Sequence, residues 1–134
     1  KLGYKIVVLR HLDQYIPEDE TFGDIALYDV GPERFINLLR GAAYVCTDSF
    51  HGSCFSIINN KKFIVFNRYA AGSKNSRIDT LCNNLGLQER RYNSNKTLEE
   101  QLNENIDYEL VTDKIRKLKQ DTDKYLDEAF ADIK

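Results

Sequence analysis

Apolar runs of strand length alternate along this chain with segments of helical period. YKIVVL (residues 4–9) is a short β-branched run and IALYDV (25–30) a second, each long enough for one strand. Residues 10–24 between them are polar, hold Pro17, and read as a loop. GPERFINLLRG predicts a helix: Pro32 suits the first helical position, Glu33 the first turn, Arg40 the last turn, and Gly41 the cap beyond it. Phe35, Leu38 and Leu39 give that helix one apolar face. AAYVCT (42–47) shows no alternation, which predicts a third strand buried on both faces. Phe50, Cys54, Ile57 and Ile58 then recur at helical intervals, so a helix should begin near Ser49 and end at Asn59 or Asn60. KFIVF (62–66) predicts a fourth strand, followed by a polar loop, 67–75, with Arg68, Gly72 and Lys74. Ser76 and Asp79 resemble a capping box opening RIDTLCNNLG, whose Ile78, Leu81, Cys82 and Leu85 face inward before Gly86 ends it. A short apolar run lies near Leu87, and residues 93–105 read as a polar connector. Val111, Ile115, Leu118, Tyr125, Leu126 and Phe130 stripe a charged amphipathic helix over 107–132.

Strands alternating with helices predict a parallel sheet covered on both faces, an α/β, Rossmann-like class. No helix separates the first two runs, so the chain reads as cut from something longer. At 134 residues, 42% of them hydrophobic, it holds enough for one core, and a single domain over 1–134 is expected. Nineteen basic residues against 21 acidic ones give no broad cationic field, which argues against a nucleic-acid partner and makes any anion site local. No apolar run approaches the length of a transmembrane segment, and the chain reads as soluble and cytoplasmic. Cys46, Cys54 and Cys82 have no metal-type spacing and are odd in number, so neither a metal site nor a disulfide framework is expected.

The stretch TDSFHGSCFSI (47–57) carries the chemistry. In open parallel sheets ligands gather at the carboxyl ends of strands, and a helix starting there turns its first unpaired N–H groups outward with partial positive charge. Phosphate or carboxylate fits such a cradle. Gly52 and Ser53 would allow close approach, while Ser49 and Ser53 would add hydroxyls. His51 would sit beside the cradle as a general acid; the helix end disfavours imidazolium, and a bound multiply charged anion favours it, so the substrate would load the acid. Asp48 or Ser49 equally serves as a plain N-cap, and His51 as a hydrogen-bonded structural group. Cys46 or Cys54 paired with His51 would be a poor nucleophile in buried surroundings. Arg68, Lys74 and Arg77 are candidate anion contacts or solvated surface.

AAYVCTDSFHGSCFSIINNKKFIVFNR followed by SRIDTLCNNLGL closely resembles the C-terminal part of the polysaccharide pyruvyl transferase family. In that family a T-D-S-F-H-G run precedes an apolar helix and a K-P-F-I-V-F-like strand; here Lys61-Lys62-Phe63 lacks the proline. The likeness runs from about Asp24 to Tyr92. It implies a glycosyltransferase-B-type architecture of two Rossmann-like halves facing across a cleft, of which this chain would be most of the second, inactive without the N-terminal domain. It also implies transfer of a pyruvyl group from phosphoenolpyruvate, a co-substrate used without a cofactor, to two hydroxyls of a sugar in a cell-surface polysaccharide. By the resemblance His51 binds the donor and transfers the proton, Gly52 and Ser53 make backbone contacts, Ser49 supports, Arg77 contacts phosphate, and Arg10 is a further candidate. The expected location is cytoplasmic, near the inner face of the membrane. Two alternatives are a nucleotide-sugar glycosyltransferase domain and a non-catalytic structural domain of a polysaccharide locus.

Overall fold

The computed structural model describes residues 3–10, 16–67 and 76–131. The chain divides into two compact units, Lys1–Leu38 and Leu39–Lys134. In the first, β1 (Val7–Leu9) and β2 (Ile25–Leu27) pair in parallel with Val7 beside Ile25. Asp24 fixes the entry into β2: its carboxylate accepts the Ile6 N–H at 2.7 Å, and its own N–H donates to the Ile6 carbonyl at 2.8 Å. The polar loop holds a 3-10 turn at Pro17–Glu20. Helix α1 (Pro32–Gly41) starts at its proline and buries Leu39.

The second unit is built on β3 (Tyr44–Thr47) and β4 (Lys62–Val65), also parallel, with Thr47 beside Val65. Helix α2 (Phe50–Ile58) connects them, and α3 (Ser76–Leu85), α4 (Leu98–Asn103) and α5 (Tyr108–Phe130) follow. The class is thus α/β with parallel pairing, and the strands form two two-stranded sheets where one continuous sheet was expected. β4 is the centre of the core: Phe63, Ile64 and Val65 are fully buried. Both edges of β4 are used, by β3 on one side and on the other by a parallel bridge from Val65 to Arg91. Among the described residues β3 pairs only with β4, and its expected burial on both sides is corrected: Val45 is buried and Cys46 exposed.

Helix α2 packs on β3 and β4 through a face the apolar period did not indicate. Its buried residues are Gly52, Ser53, Ser56 and Ile57, whereas Ile58 is exposed. Small side chains let the helix lie close to the sheet. The buried hydroxyls are satisfied within the helix, Ser53 Oγ donating to the Ser49 carbonyl at 3.0 Å and Ser56 Oγ to that of Gly52 at 2.7 Å, so their burial leaves no unmade hydrogen bond.

Helix α3 begins at Ser76, which therefore stands inside the first turn rather than at the cap expected of it. It buries Ile78, Cys82 and Leu85, then stops at Gly86, whose φ of 71° suits glycine. Lys114 of α5 donates to the Leu85 carbonyl at 3.2 Å, placing a cation at the negative end of α3.

Residues 93–105 are not a plain connector. Thr97 and Glu100 form a reciprocal capping box that opens α4. Gln101, almost fully buried, donates to the carbonyls of Asn93 at 3.0 Å and Lys96 at 3.1 Å and accepts the Asn93 N–H at 2.8 Å. Buried Arg90 donates to the Gln101 carbonyl at 3.0 Å and pairs with Glu104 at 2.5 Å. Replacing Arg90 by alanine is expected to cost about 2 kcal/mol, because a buried carbonyl and a carboxylate both lose a charged donor; chemical denaturation measures it. Glu104 is held below the ordinary carboxylate range, first by its hydrogen bond with Lys96 and also by the Lys96 and Arg90 charges. A depressed folded-state value stabilises the fold at neutral pH, and that contribution is lost as pH falls below the unfolded carboxylate range. Thermal melts between acid and neutral pH should therefore show a Glu104→Gln chain converging on the parent at the acid end.

Candidate functional site

The expected site lies where β3 ends and α2 begins. Thr47 closes the strand, and its hydroxyl accepts the Ser49 N–H at 3.1 Å. Ser49, in extended conformation, is the N-cap: its hydroxyl accepts the Gly52 N–H at 3.3 Å, and its carbonyl accepts the Ser53 N–H at 3.0 Å. Among the described residues, the N–H groups of Phe50 and His51 have no hydrogen-bond partner. Those two donors lie at the positive end of a nine-residue helix.

Gly52 and Ser53 have a different role from the one their small size suggests. Both are buried, and a Cβ added to Gly52 would lie 2.4 Å from the Thr47 hydroxyl oxygen. The absence of a side chain at Gly52 makes room for Thr47. The Ser53 hydroxyl is taken up by the Ser49 carbonyl.

His51 is exposed on the first turn. The Phe50 ring meets its imidazole edge to face, with centroids 5.7 Å apart. Phe50 in turn lies under the Arg77 guanidinium, 5.3 Å from the ring centroid. The structure thus brings Ser49, His51 and Arg77 together around Phe50, a residue expected only to face the core. Ring contacts between α2 and α3 of this kind cannot be read from spacing along the chain.

Arg91 is a second residue that sequence patterning missed. It lies level with the carboxyl end of β4, across the bridge from Val65, which itself pairs with Thr47. Its guanidinium contacts Asp79 at 3.3 Å and Asn67, while Nη1 is buried without a hydrogen-bond partner among the described residues. The only sequence signal was the apolar run near Leu87 that delivers it to the sheet edge. Arg91 also lines a shallow cavity of about 290 Å³ with Gln88, Glu89, Asn93, Lys96 and Gln101, a cavity that includes none of the expected donor-binding residues.

Arg10 belongs to the other unit, just past the end of β1. Its side chain is largely buried, lies 4.5 Å from the Tyr28 ring centroid, and pairs with Glu20 at 3.0 Å. Its charge is thus already matched within its own unit. Arg68, Gly72 and Lys74 lie outside the described residues. Cys54 is half-buried, and burial pushes its thiol up against a smaller opposing backbone hydrogen bond, which makes it a poor nucleophile. Among the described residues no cluster of histidine, cysteine and carboxylate side chains could hold a metal, and no helix is long and apolar enough to cross a membrane.

Parallel strand pairs joined through helices, with a histidine on the first turn of the helix that follows β3, define an α/β protein. The family model described as polysaccharide pyruvyl transferase matches residues 2–69, and the chain belongs to that family. The matched span includes Arg10, Ser49, His51, Gly52 and Ser53; Arg77 and Arg91 lie beyond it. Neither the curated proteins nor the solved structures yielded a match.

Proposed function

We propose that this chain supplies the donor-binding half of an enzyme that transfers a pyruvyl group from phosphoenolpyruvate to two hydroxyls of a sugar in a polysaccharide. The observation that carries the reading is the open pair of N–H groups at Phe50 and His51, with the imidazole and the Arg77 guanidinium beside them. Membership of the family supports the transferase class.

In the proposed reaction His51 gives a proton to the methylene carbon of phosphoenolpyruvate, and positive charge develops at the neighbouring carbon. A sugar hydroxyl attacks that carbon, its proton returning to the imidazole. The bond from that carbon to the phosphate oxygen then breaks, phosphate leaves, and a second hydroxyl closes the ketal, its proton departing with phosphate. The helix N-terminus stabilises the anionic donor, and Arg77 meets the phosphate as charge accumulates on it. Ser49 holds the cradle in shape, while Gly52 and Ser53 act through backbone placement. The other half of the cleft comes from an upstream Rossmann-like domain of the same chain, in a glycosyltransferase-B-type arrangement at the cytoplasmic side of the membrane.

Ser49→Asp separates donor binding from capping. Aspartate caps a helix as well as serine does, so the melting temperature should hold within the effect of about 0.5 kcal/mol. A carboxylate facing an anionic donor should weaken phosphoenolpyruvate binding at least about tenfold. Calorimetric titration of the enzyme with its upstream domain measures this. Unchanged affinity in the stable variant would remove the donor from this helix. Binding of nucleotide sugars instead of phosphoenolpyruvate would move the function to glycosyl transfer.

A further inference from the structure

Helix α5 leaves the body of its unit after one and a half turns. Tyr108 donates its hydroxyl to the Lys61 carbonyl, Val111 is buried, and Lys114 reaches Leu85, but every residue from 115 to 130 is exposed. The exposed part carries large apolar side chains: Ile115, Leu118, Tyr125, Leu126 and Phe130. Ile115, Leu118, Thr122, Tyr125 and Ala129 follow the alternating three-and-four spacing of a helix-pairing seam. Apolar side chains repeated along one exposed helix are the pattern of a face that packs against a partner.

The charge pattern names the partner. Residues 114–119 (KIRKLK) hold four cations and no anion, whereas residues 121–128 (DTDKYLDE) hold four anions and one cation. The helix is a basic half followed by an acidic half, with Gln120 between them. Aligned in parallel, two copies would set like charges together; aligned antiparallel about Gln120, each basic half lies along the other's acidic half. The same axis places Ile115 across from Tyr125 and Leu118 across from Thr122, so the exposed seam is self-complementary in the orientation the charges select.

We propose that the exposed part of α5 is a dimerisation surface that pairs antiparallel with α5 of a second copy of this chain. The interface is isologous, with an apolar seam flanked by two equivalent basic-to-acidic contacts. It is independent of the donor site and of the reaction assigned to it.

Sedimentation equilibrium over a concentration series on the full chain is the first test, and a concentration-dependent dimer is expected. Reversing the basic half (Arg116→Glu, Lys117→Glu, Lys119→Glu) or the acidic half (Asp121→Lys, Asp123→Lys, Asp127→Lys) should each weaken self-association about tenfold or more. Mixing the two reversed chains should restore association as a heterodimer, because a largely acidic stretch then lies against a largely basic one at both contacts; reversing both halves in one chain gives a sixfold variant that is again self-complementary. That sixfold variant should dimerise within about threefold of the parent, which a loss of folding or of a specific surface could not produce. Spin labels at position 128 supply the orientation: by the 1.5 Å rise per residue they should be about 24 Å apart along the axis in the antiparallel pair, and side by side in a parallel one. A chain that stays monomeric at every concentration, a dimer indifferent to the triple reversals, or closely spaced labels would each overturn the proposal; a monomer would leave the seam to another segment or partner.

Discussion

Replacing His51 by alanine is expected to lower turnover of phosphoenolpyruvate at least about a hundredfold while leaving the fold intact. His51 is exposed and makes an edge contact with one ring, so its removal should change stability by no more than about 0.5 kcal/mol. A positioned general acid contributes between about a hundredfold and ten-thousandfold, and that contribution is made in the transition state. The loss should therefore fall on kcat, with the Michaelis constant for the donor changing much less. Phosphate release from phosphoenolpyruvate in the presence of a sugar acceptor, followed in the enzyme with its upstream domain, measures both. Arg77→Ala provides the contrast: a contact to donor phosphate present before and during reaction should raise the Michaelis constant as well. Full activity in a correctly folded His51→Ala enzyme would assign the proton transfer to another group.

The second large effect concerns Gly52. Valine there would place a branched side chain where even a Cβ lies 2.4 Å from the Thr47 hydroxyl oxygen and 3.2 Å from its Cβ. Thr47 is not free to move away, because its hydroxyl holds the Ser49 N–H and its backbone carbonyl accepts the Phe66 N–H at 2.8 Å. The variant should lose about 3 kcal/mol, the upper end of ordinary overpacking. Gly52→Ala should also lose stability, although alanine is favoured over glycine in a helix interior by about 1 kcal/mol. Thr47→Ala in the Gly52→Ala background should recover part of the loss, since it removes the nearest atom. A double-mutant cycle by chemical denaturation reads the coupling, and strictly additive losses would contradict the steric account. Because this contact sets the first turn of α2, donor binding should weaken together with stability.

The elements were legible where local chemistry decides them. Pro32 opened α1, although Gly41, read as the cap beyond it, is its last helical residue; Ser49 announced the start of α2, and the apolar runs located the four strands of the described residues. Burial was less legible, because it depends on neighbours distant in sequence. AAYVCT lacks alternation, yet among the described residues its strand pairs only with β4 and Cys46 is exposed. In α2 the apolar period pointed to Phe50, Cys54, Ile57 and Ile58; Ile57 is buried as expected, while the other buried positions are the small residues Gly52, Ser53 and Ser56, with both serine hydroxyls satisfied within the helix. Helix α4 was hidden by its polar composition although its Thr97–Glu100 capping box was present in the sequence; burial of Gln101 and the Arg90–Glu104 pair hold it in place. At the site, the cap and the histidine were visible, while the stacking of Arg77 on Phe50 and the arrival of Arg91 beside β4 depend on tertiary packing.

Titrating phosphoenolpyruvate into the enzyme while observing the His51 imidazole by NMR tests the account most directly. The sequence holds only one other histidine, His11, so the two resonances can be assigned by substitution. The account predicts a saturable shift of the His51 signals with phosphoenolpyruvate, stronger in the protein carrying its upstream domain and reduced by Ser49→Asp. A folded protein in which His51 does not respond to phosphoenolpyruvate, or responds only to nucleotide sugars, would contradict it.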